Sequence, residues 1–360
     1  MMQHAEVLEW LRETDPSRLE QLWRRADEER RRAVGDAVHL RGLVEISNTC
    51  RRHCGYCGIR SGNTSVARYR MSSGEILGAA RRAHGFGYGT VVLQAGEDPG
   101  IAGDWMAELI SRIRAELPVA VTLSLGERGE GELAAWRAAG ADRYLLRFET
   151  SNPDLYRRIH PGFGDCHSDR LRALRLLKAL GYEVGSGFLV GVPGQTYSDL
   201  ANDLLLVREL GCHMVGCGPF IPHPATPLGA EAGAQLRGEA GREQVPADET
   251  MACKVIALAR LLCPGTNIPS TTALATLSPG RGRLLGLSRG ANVVMPNVTP
   301  LAYRPKYEIY PGKVTGIEDA ETFHGAICAE ILALGRTVGS GAGSAPCYAD
   351  GRRAEVELAQ

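Results

Sequence analysis

From residue 43 onward, short runs rich in β-branched and other apolar residues alternate with longer stretches in which apolar positions recur at helical spacing. The runs at 43–47, 90–94, 120–125, 143–148, 183–190, 214–217, 267–272 and 291–295 predict eight strands. Helical patterns at 73–86, 104–116, 131–138, 168–180 and 198–210 separate most of them. Repeated βα units of this kind predict an α/β fold with a parallel sheet, and eight of them predict a complete (β/α)8 TIM barrel. The first 35 residues carry two further helical patterns, the second opening at Asp15-Pro16-Ser17 with a capping residue and then Pro at the first helical position. The expected organisation is an N-terminal helical extension over 1–36, a barrel over 37–313, and a C-terminal helix and tail over 314–360. Within it, 229–241 reads as a loop insertion before a helix at 250–262, 319–334 reads as a helix, and the glycine-rich 335–360 reads as a mobile tail.

Charge and composition narrow the class. Lys and Arg total 41 and Asp and Glu total 41, so no net field points to nucleic acid or an anionic membrane. Only Lys178, Lys254, Lys306 and Lys313 are lysines, a bias read as genome composition. No apolar run approaches the ~18 residues of a membrane span, and the N-terminus has no signal-peptide pattern. The expectation is a cytoplasmic protein with a small-molecule substrate. Ten cysteines then suggest a reducing compartment, where thiols serve metals or fill cores. Cys166, Cys212, Cys217, Cys253, Cys263, Cys328 and Cys347 are scattered and read as packing residues.

The other three cysteines, Cys50, Cys54 and Cys57, are clustered as C-x3-C-x2-C directly after the first predicted strand. Three thiolates on one loop suit three irons of a [4Fe-4S] cube and leave the fourth iron open. A structural zinc site would need a second ligand pair, and none follows at the usual spacing. A chance cluster or a disulfide pair is the bland alternative.

In a TIM barrel the loops at the C-terminal ends of strands carry the chemistry. Those positions here are Gln94-Ala95-Gly96-Glu97-Asp98, then Thr122 and Ser124 two apart, then Arg147 and Glu149 two apart, then Thr271-Thr272, then Met295-Pro296-Asn297. Charges inside a barrel are costly without partners, so these residues mark a polar pocket. Arg147 and Glu149 could instead form a structural ion pair.

Tyr56 directly before the third cysteine completes a pattern that resembles the radical S-adenosylmethionine (SAM) enzymes. The segments Ser47-Asn48, Cys57-Gly58-Ile59-Arg60, Val92 to Asp98, Thr122 to Glu127, Gly140 to Thr150, Gly191-Val192-Pro193-Gly194-Gln195-Thr196, Val215 to Pro224, Pro269-Ser270-Thr271-Thr272 and Ala291 to Asn297 resemble more narrowly the HydE maturases of [FeFe]-hydrogenase. Biotin synthase and methylornithine-forming lysine mutase stand nearby. The resemblance implies one [4Fe-4S] cluster on Cys50, Cys54 and Cys57, and SAM held by Tyr56, Gly96, Glu97, Ser124, Glu149 and Arg170. It implies a cavity for a small anionic or organometallic substrate lined by Thr122, Arg147, Thr271, Thr272, Met295 and Tyr307. It further implies reductive cleavage of SAM to a 5'-deoxyadenosyl radical during assembly of the di-iron subcluster. Partner maturases and a flavodoxin- or ferredoxin-type electron donor go with that role.

Two departures from the family pattern stand out. After Tyr310-Pro311-Gly312-Lys313 no cysteine follows until Cys328, so an accessory cluster is not expected. Phe148 stands where His is common, which would alter the substrate pocket. The alternatives are a radical SAM mutase or C–S bond-forming enzyme acting on an amino acid, and a non-catalytic carrier of an iron fragment.

Overall fold

The computed structural model describes residues 2–162, 168–235, 243–313 and 319–350. Cys166, part of the predicted insertion at 229–241 and the end of the predicted tail lie outside these residues. The strands are β1 (Ala37–Ser47), β2 (Thr90–Ala95), β3 (Ala120–Ser124), β4 (Arg143–Leu145), β5 (Glu183–Ser186), β6 (Leu189–Val190), β7 (Met214–Val215), β8 (Gly218–Pro219), β9 (Val293–Val294) and β10 (Thr337–Gly339). A curled, all-parallel sheet runs β1-β2-β3-β4-β5-β7, and β9 and β10 both pair with β1. Register is continuous from Val92 through Thr122 to Arg143 and Glu183. Side chains at alternate positions of neighbouring strands therefore share one interior.

Three expected strands differ. Residues 267–272 make only isolated parallel bridges, Asn267 to Met214 and Pro269 to Val293, and Thr272 already begins the helix Thr272–Leu277. Pro269 has no N–H to give a ladder. The run 183–190 is broken at Gly187, where a Cβ would fall onto the carbonyl oxygen of Gly216. After that break, β6 turns away and pairs with β8 as a separate two-stranded sheet. The fourth run stops at Leu145, and its end instead forms the turn that carries Glu149.

Helices cover the outside for local reasons. Ser73–Gly85 opens with a capping box between Ser72 and Glu75, and Pro16–Val34 opens with Asp15 accepting from Ser17 and Arg18 N–H. Pro16–Val34 packs on Glu249–Leu262, which is buried along almost its whole length, and His4–Arg12 packs on Tyr197–Glu209. Part of the predicted insertion is the helix Pro227–Gln235. Among the described residues no helix is long and apolar enough to cross a membrane.

The expected mobile tail is docked as far as it is described. Thr337–Gly339 pairs in register with Ala37–His39, and the following backbone seals the N-terminal end of the sheet's interior. There the buried Arg143 donates to Ala342 O at 2.8 Å, Arg41 and Asn267 donate to Gly343 O, and Glu183 accepts the Ala345 N–H at 2.8 Å. Exposed carbonyls of a glycine-rich segment supply the acceptors that these buried donors need. Glycine content signalled flexibility, but here it permits close approach.

Candidate active site

The three cysteines lie on a long loop between β1 and the helix Ser73–Gly85, at the C-terminal end of β1. The loop has no regular structure, yet side chains staple it. Asn48 donates to Ala67 O and Lys306 O and accepts the Tyr69 N–H at 2.7 Å. Arg68 donates to the carbonyls of Asn48, Ile59, Arg60 and Asn63. Backbone N–H groups of Arg51, Gly55 and Gly58 donate to Glu97, Ile159 and Ile309. These bonds fix the loop's backbone from both sides.

Cys54 is buried, and Cys50 and Cys57 are half-buried. Burial pushes all three thiols upward, Cys54 to about 12; Cys50 raises Cys54, and both raise Cys57, so they sit within electrostatic reach. Among the described residues no three His, Cys, Asp or Glu side chains converge as they would around a single ion. A mononuclear zinc site needs that convergence, whereas a cube takes each thiolate on a different iron. Three thiols on one loop, each able to take a different iron, fit a [4Fe-4S] cube. Gly96, at the exit of β2, lies against the loop so closely that a Cβ there would fall onto Thr49 O and come within 2.7 Å of Cys50 Cβ.

Beside the thiols runs a connected polar network. Tyr56 OH donates to Glu149 Oε1 at 3.0 Å, and burial keeps that phenol protonated. Arg170 Nη1 lies 3.5 Å from the same oxygen and donates to Arg147 O, while its Nε donates to Glu127 at 3.3 Å. Glu127 continues to Arg52 at 3.2 Å, and Arg52 and Arg51 both donate to Glu97 Oε1. Burial would raise Glu97, but the Glu127 N–H and the Arg52 and Arg51 guanidiniums hold it below the ordinary range. His160, which contacts Arg170 at 2.7 Å, is pushed down to about 2, first by burial and then by Arg170 and Arg52. It is a neutral ring.

Five polar atoms of this network and of β3 are buried with no hydrogen-bond partner: Thr122 Oγ1, Arg52 Nη1, His160 Nδ1, Arg147 Nε and Glu149 Oε2. The last two are 3.2 Å apart, close enough for an ion pair but misaligned for a hydrogen bond. Unsatisfied buried groups cost free energy unless a ligand completes them. Arg147 and Glu149 therefore form an ion pair and also keep bonding capacity open.

Residues 44–207 match the radical SAM superfamily. The chain is 47% identical over 320 residues to the [FeFe] hydrogenase maturase subunit HydE of Thermotoga maritima, spanning 89% of this chain and 87% of that protein. The chain belongs to the HydE family of radical SAM enzymes. It is also 29% identical to 3-methylornithine synthase of Methanosarcina barkeri, over 78% of this chain and 75% of that one. The crystal structure of methylornithine synthase PylB superposes with a TM-score of 0.80 at 24% identity, covering 98% of this chain and 96% of that one. The maturase HydG of Carboxydothermus hydrogenoformans gives 0.76 at 19% identity, covering 96% and 77%. These two likenesses speak to the fold.

Radical SAM enzymes bind a [4Fe-4S] cluster and SAM, and of the residues expected at such a site the structure joins Tyr56, Glu149 and Arg170 by direct contacts, with Arg147 of the expected substrate cavity beside them. Tyr307 is buried, with its phenol pushed up by burial and by Glu45, Cys57 and Cys50 nearby. Ser124 sits level with Gln94 across the β2–β3 ladder. Thr271 caps the helix Thr272–Leu277 by accepting the Leu274 N–H, Thr272 is its half-buried first residue, and Met295 is half-buried just after β9. Phe148 is buried against Phe188, ring centres 5.8 Å apart, and lines a cavity together with His160 and Arg170. Sequence reasoning missed Arg51, Arg52, Glu127 and His160. Two arginines between the cysteines were the available signal.

Proposed function

We propose that this HydE-family chain acts in [FeFe]-hydrogenase maturation, using Cys50, Cys54 and Cys57 to hold one [4Fe-4S] cluster. The carrying observation is the fixed three-thiol loop beside a polar network that still has Arg147 Nε, Glu149 Oε2 and Thr122 Oγ1 to satisfy. When bound, the cluster supplies an electron to the SAM sulfonium, releasing methionine and a 5'-deoxyadenosyl radical. Tyr56, Glu149 and Arg170 orient SAM, with Arg170 suited to its carboxylate. Gly96 and Ser124 line the same site. Glu97 serves it at one remove, because its carboxylate is engaged in fixing Arg51 and Arg52 of the cysteine loop.

Arg147 and the Thr122, Thr271 and Thr272 hydroxyls form the anion side of the substrate cavity, with Met295 and Tyr307 as its walls. Thr271 accepts a backbone N–H, so its own O–H proton is left to donate. The bridges at Asn267 and Pro269 support closure of the sheet into a full barrel between β7 and β9, which would exclude water from a reactive radical. The domain limits 1–36, 37–313 and 314–360 serve this reading, with β10 crossing back to the barrel from the third segment. A cytoplasmic setting, a flavodoxin- or ferredoxin-type donor and partner maturases complete it.

The test is reductive SAM cleavage by reconstituted protein under dithionite. Cys57→Ser is expected to abolish 5'-deoxyadenosine formation while circular dichroism stays native. Wild-type turnover by the variant would overturn the cluster assignment. Substrate is tested by supplying the iron–cysteine product of a partner maturase: stimulated deoxyadenosine formation is expected, and stimulation by lysine instead would favour an amino-acid mutase.

A further inference from the structure

Among the described residues Glu149 is the one non-glycine with positive φ, at 70°. Thr150 N–H donates to Phe148 O at 2.9 Å, so Glu149 is the centre of a γ-turn in its rare, strained form. Such a conformation persists only where neighbours over-determine it. Two sets of neighbours hold it: the segment after β5, where Glu149 N–H donates to Gly187 O at 3.1 Å and Glu149 O accepts the Leu189 N–H at 3.0 Å, and the helix Tyr197–Glu209, whose Asp199 and Asp203 lie one turn apart on one face. Ser151 N–H and the Thr150 hydroxyl both donate to Asp203 Oδ1. Asn152 Nδ2 donates to Asp199 Oδ1 at 2.9 Å. Gln195 Nε2 donates to Asp203 Oδ2 at 3.1 Å and to Leu189 O at 2.9 Å, while its Oε1 accepts the Gly191 N–H at 2.7 Å.

One carboxyl group therefore ties the turn after β4 to the turn after β6. Asp203 is fully buried and, among the described residues, in no ion pair. Burial pushes it up to about 7, so the fold tolerates a group it would rather keep neutral. An apolar residue there would be cheaper if packing alone mattered.

We propose that Asp203 is a positioning residue: it locks the Phe148–Glu149–Thr150 turn so that the Glu149 carboxylate meets Tyr56 and Arg170 at the SAM site. This rests on the assignment of Glu149 to that site. Asp203 touches no reacting atom and acts through Ser151 and Thr150. Its loss leaves only the backbone bonds to Gly187 and Leu189 holding Glu149 in the left-handed region, which loosens the carboxylate's alignment with Tyr56 OH.

The experiment uses the full-length chain with its cluster reconstituted and compares Asp203→Ala and Asp203→Asn. The readouts are iron content, the SAM dissociation constant, and the rate of deoxyadenosine formation at saturating SAM. In the Ala variant we expect unchanged iron and a dissociation constant raised about tenfold, the effect of losing one ligand-orienting charge-assisted hydrogen bond. The saturated rate should fall by less. The Asn variant keeps the shape and one acceptor for Ser151, so it should recover most of the affinity, leaving a rise of about threefold. A merely structural role would lower the melting temperature and leave SAM affinity as in wild type, and that result in either variant overturns the proposal. Should the Ala variant not fold, the Asn variant decides alone. Wild-type protein that fails to bind SAM overturns the site assignment instead.

Discussion

Gly96 shows how one missing side chain sets the geometry of the cysteine loop. It brings the exit of β2 against Thr49 and Cys50, and its N–H donates to Ser47 O at 3.0 Å. In Gly96→Ala the added methyl can be housed only by moving Cys50, since both obstructing groups belong to the stapled loop. Reconstituted iron is expected to fall from about four per chain to well under half of that, while the melting temperature changes by only a few degrees. Iron and sulfide assays check this. Full loading would show that the loop yields. At the same scale, Arg51 and Arg52 carry more of the site than the sequence suggested: they fix the loop to Glu97 and Glu127 from between the cysteines.

Elements were predicted where local pattern and tertiary environment agree, as in β2, β3 and the capped helix Ser73–Gly85. They were mispredicted where a neighbouring chain segment decides. At Gly187, just past the end of β5, the missing side chain lets Gly216 O approach, and Thr337–Gly339 is a strand because β1 extends back to Ala37 and offers it a partner. The docked C-terminal segment depends on a second close approach, since a Cβ on Gly89 would fall onto Gly341 O. Gly89→Ala is therefore expected to expel the segment and leave Arg41, Arg143 and Asn267 short of acceptors. The loss should be at least about 2 kcal/mol of unfolding free energy by urea titration, together with faster proteolysis near residue 340. Unchanged stability would mean the segment contributes nothing to the seal.

At the scale of the whole molecule, buried titratable groups set an acid limit. His39 and His213 are pushed down to about 4 and His160 to about 2, in each case first by burial. An unfolded imidazole takes its proton near pH 6.5, so between about pH 6.5 and 4 the unfolded chain holds more protons at these three sites and stability falls as pH is lowered. Asp203 works the other way: it keeps its proton up to about 7 when folded, against 3.8 for its ordinary value, so its contribution falls as pH rises through that window. Three groups oppose one. Urea midpoints are expected to rise from pH 4.5 to pH 6.5, and a flat or falling series would refute the balance.

The sequence by itself determined the chemistry-bearing loop, the βα alternation and the family, because cysteine spacing, apolar period and short motifs are local properties of the chain. Even Tyr56, Glu149 and Arg170 could be named before they could be placed. The tertiary structure decided which of these side chains are satisfied and which remain open. Glu97 is engaged by arginines, Phe148 packs on Phe188, and Arg147 Nε and Thr122 Oγ1 have no hydrogen-bond partner. It also decided that the glycine-rich end is a seal and that a helix four elements away holds the turn at Glu149. The physical reason is the same in each case: hydrogen-bond satisfaction and steric exclusion depend on which distant segments meet, and spacing along a chain does not encode that directly.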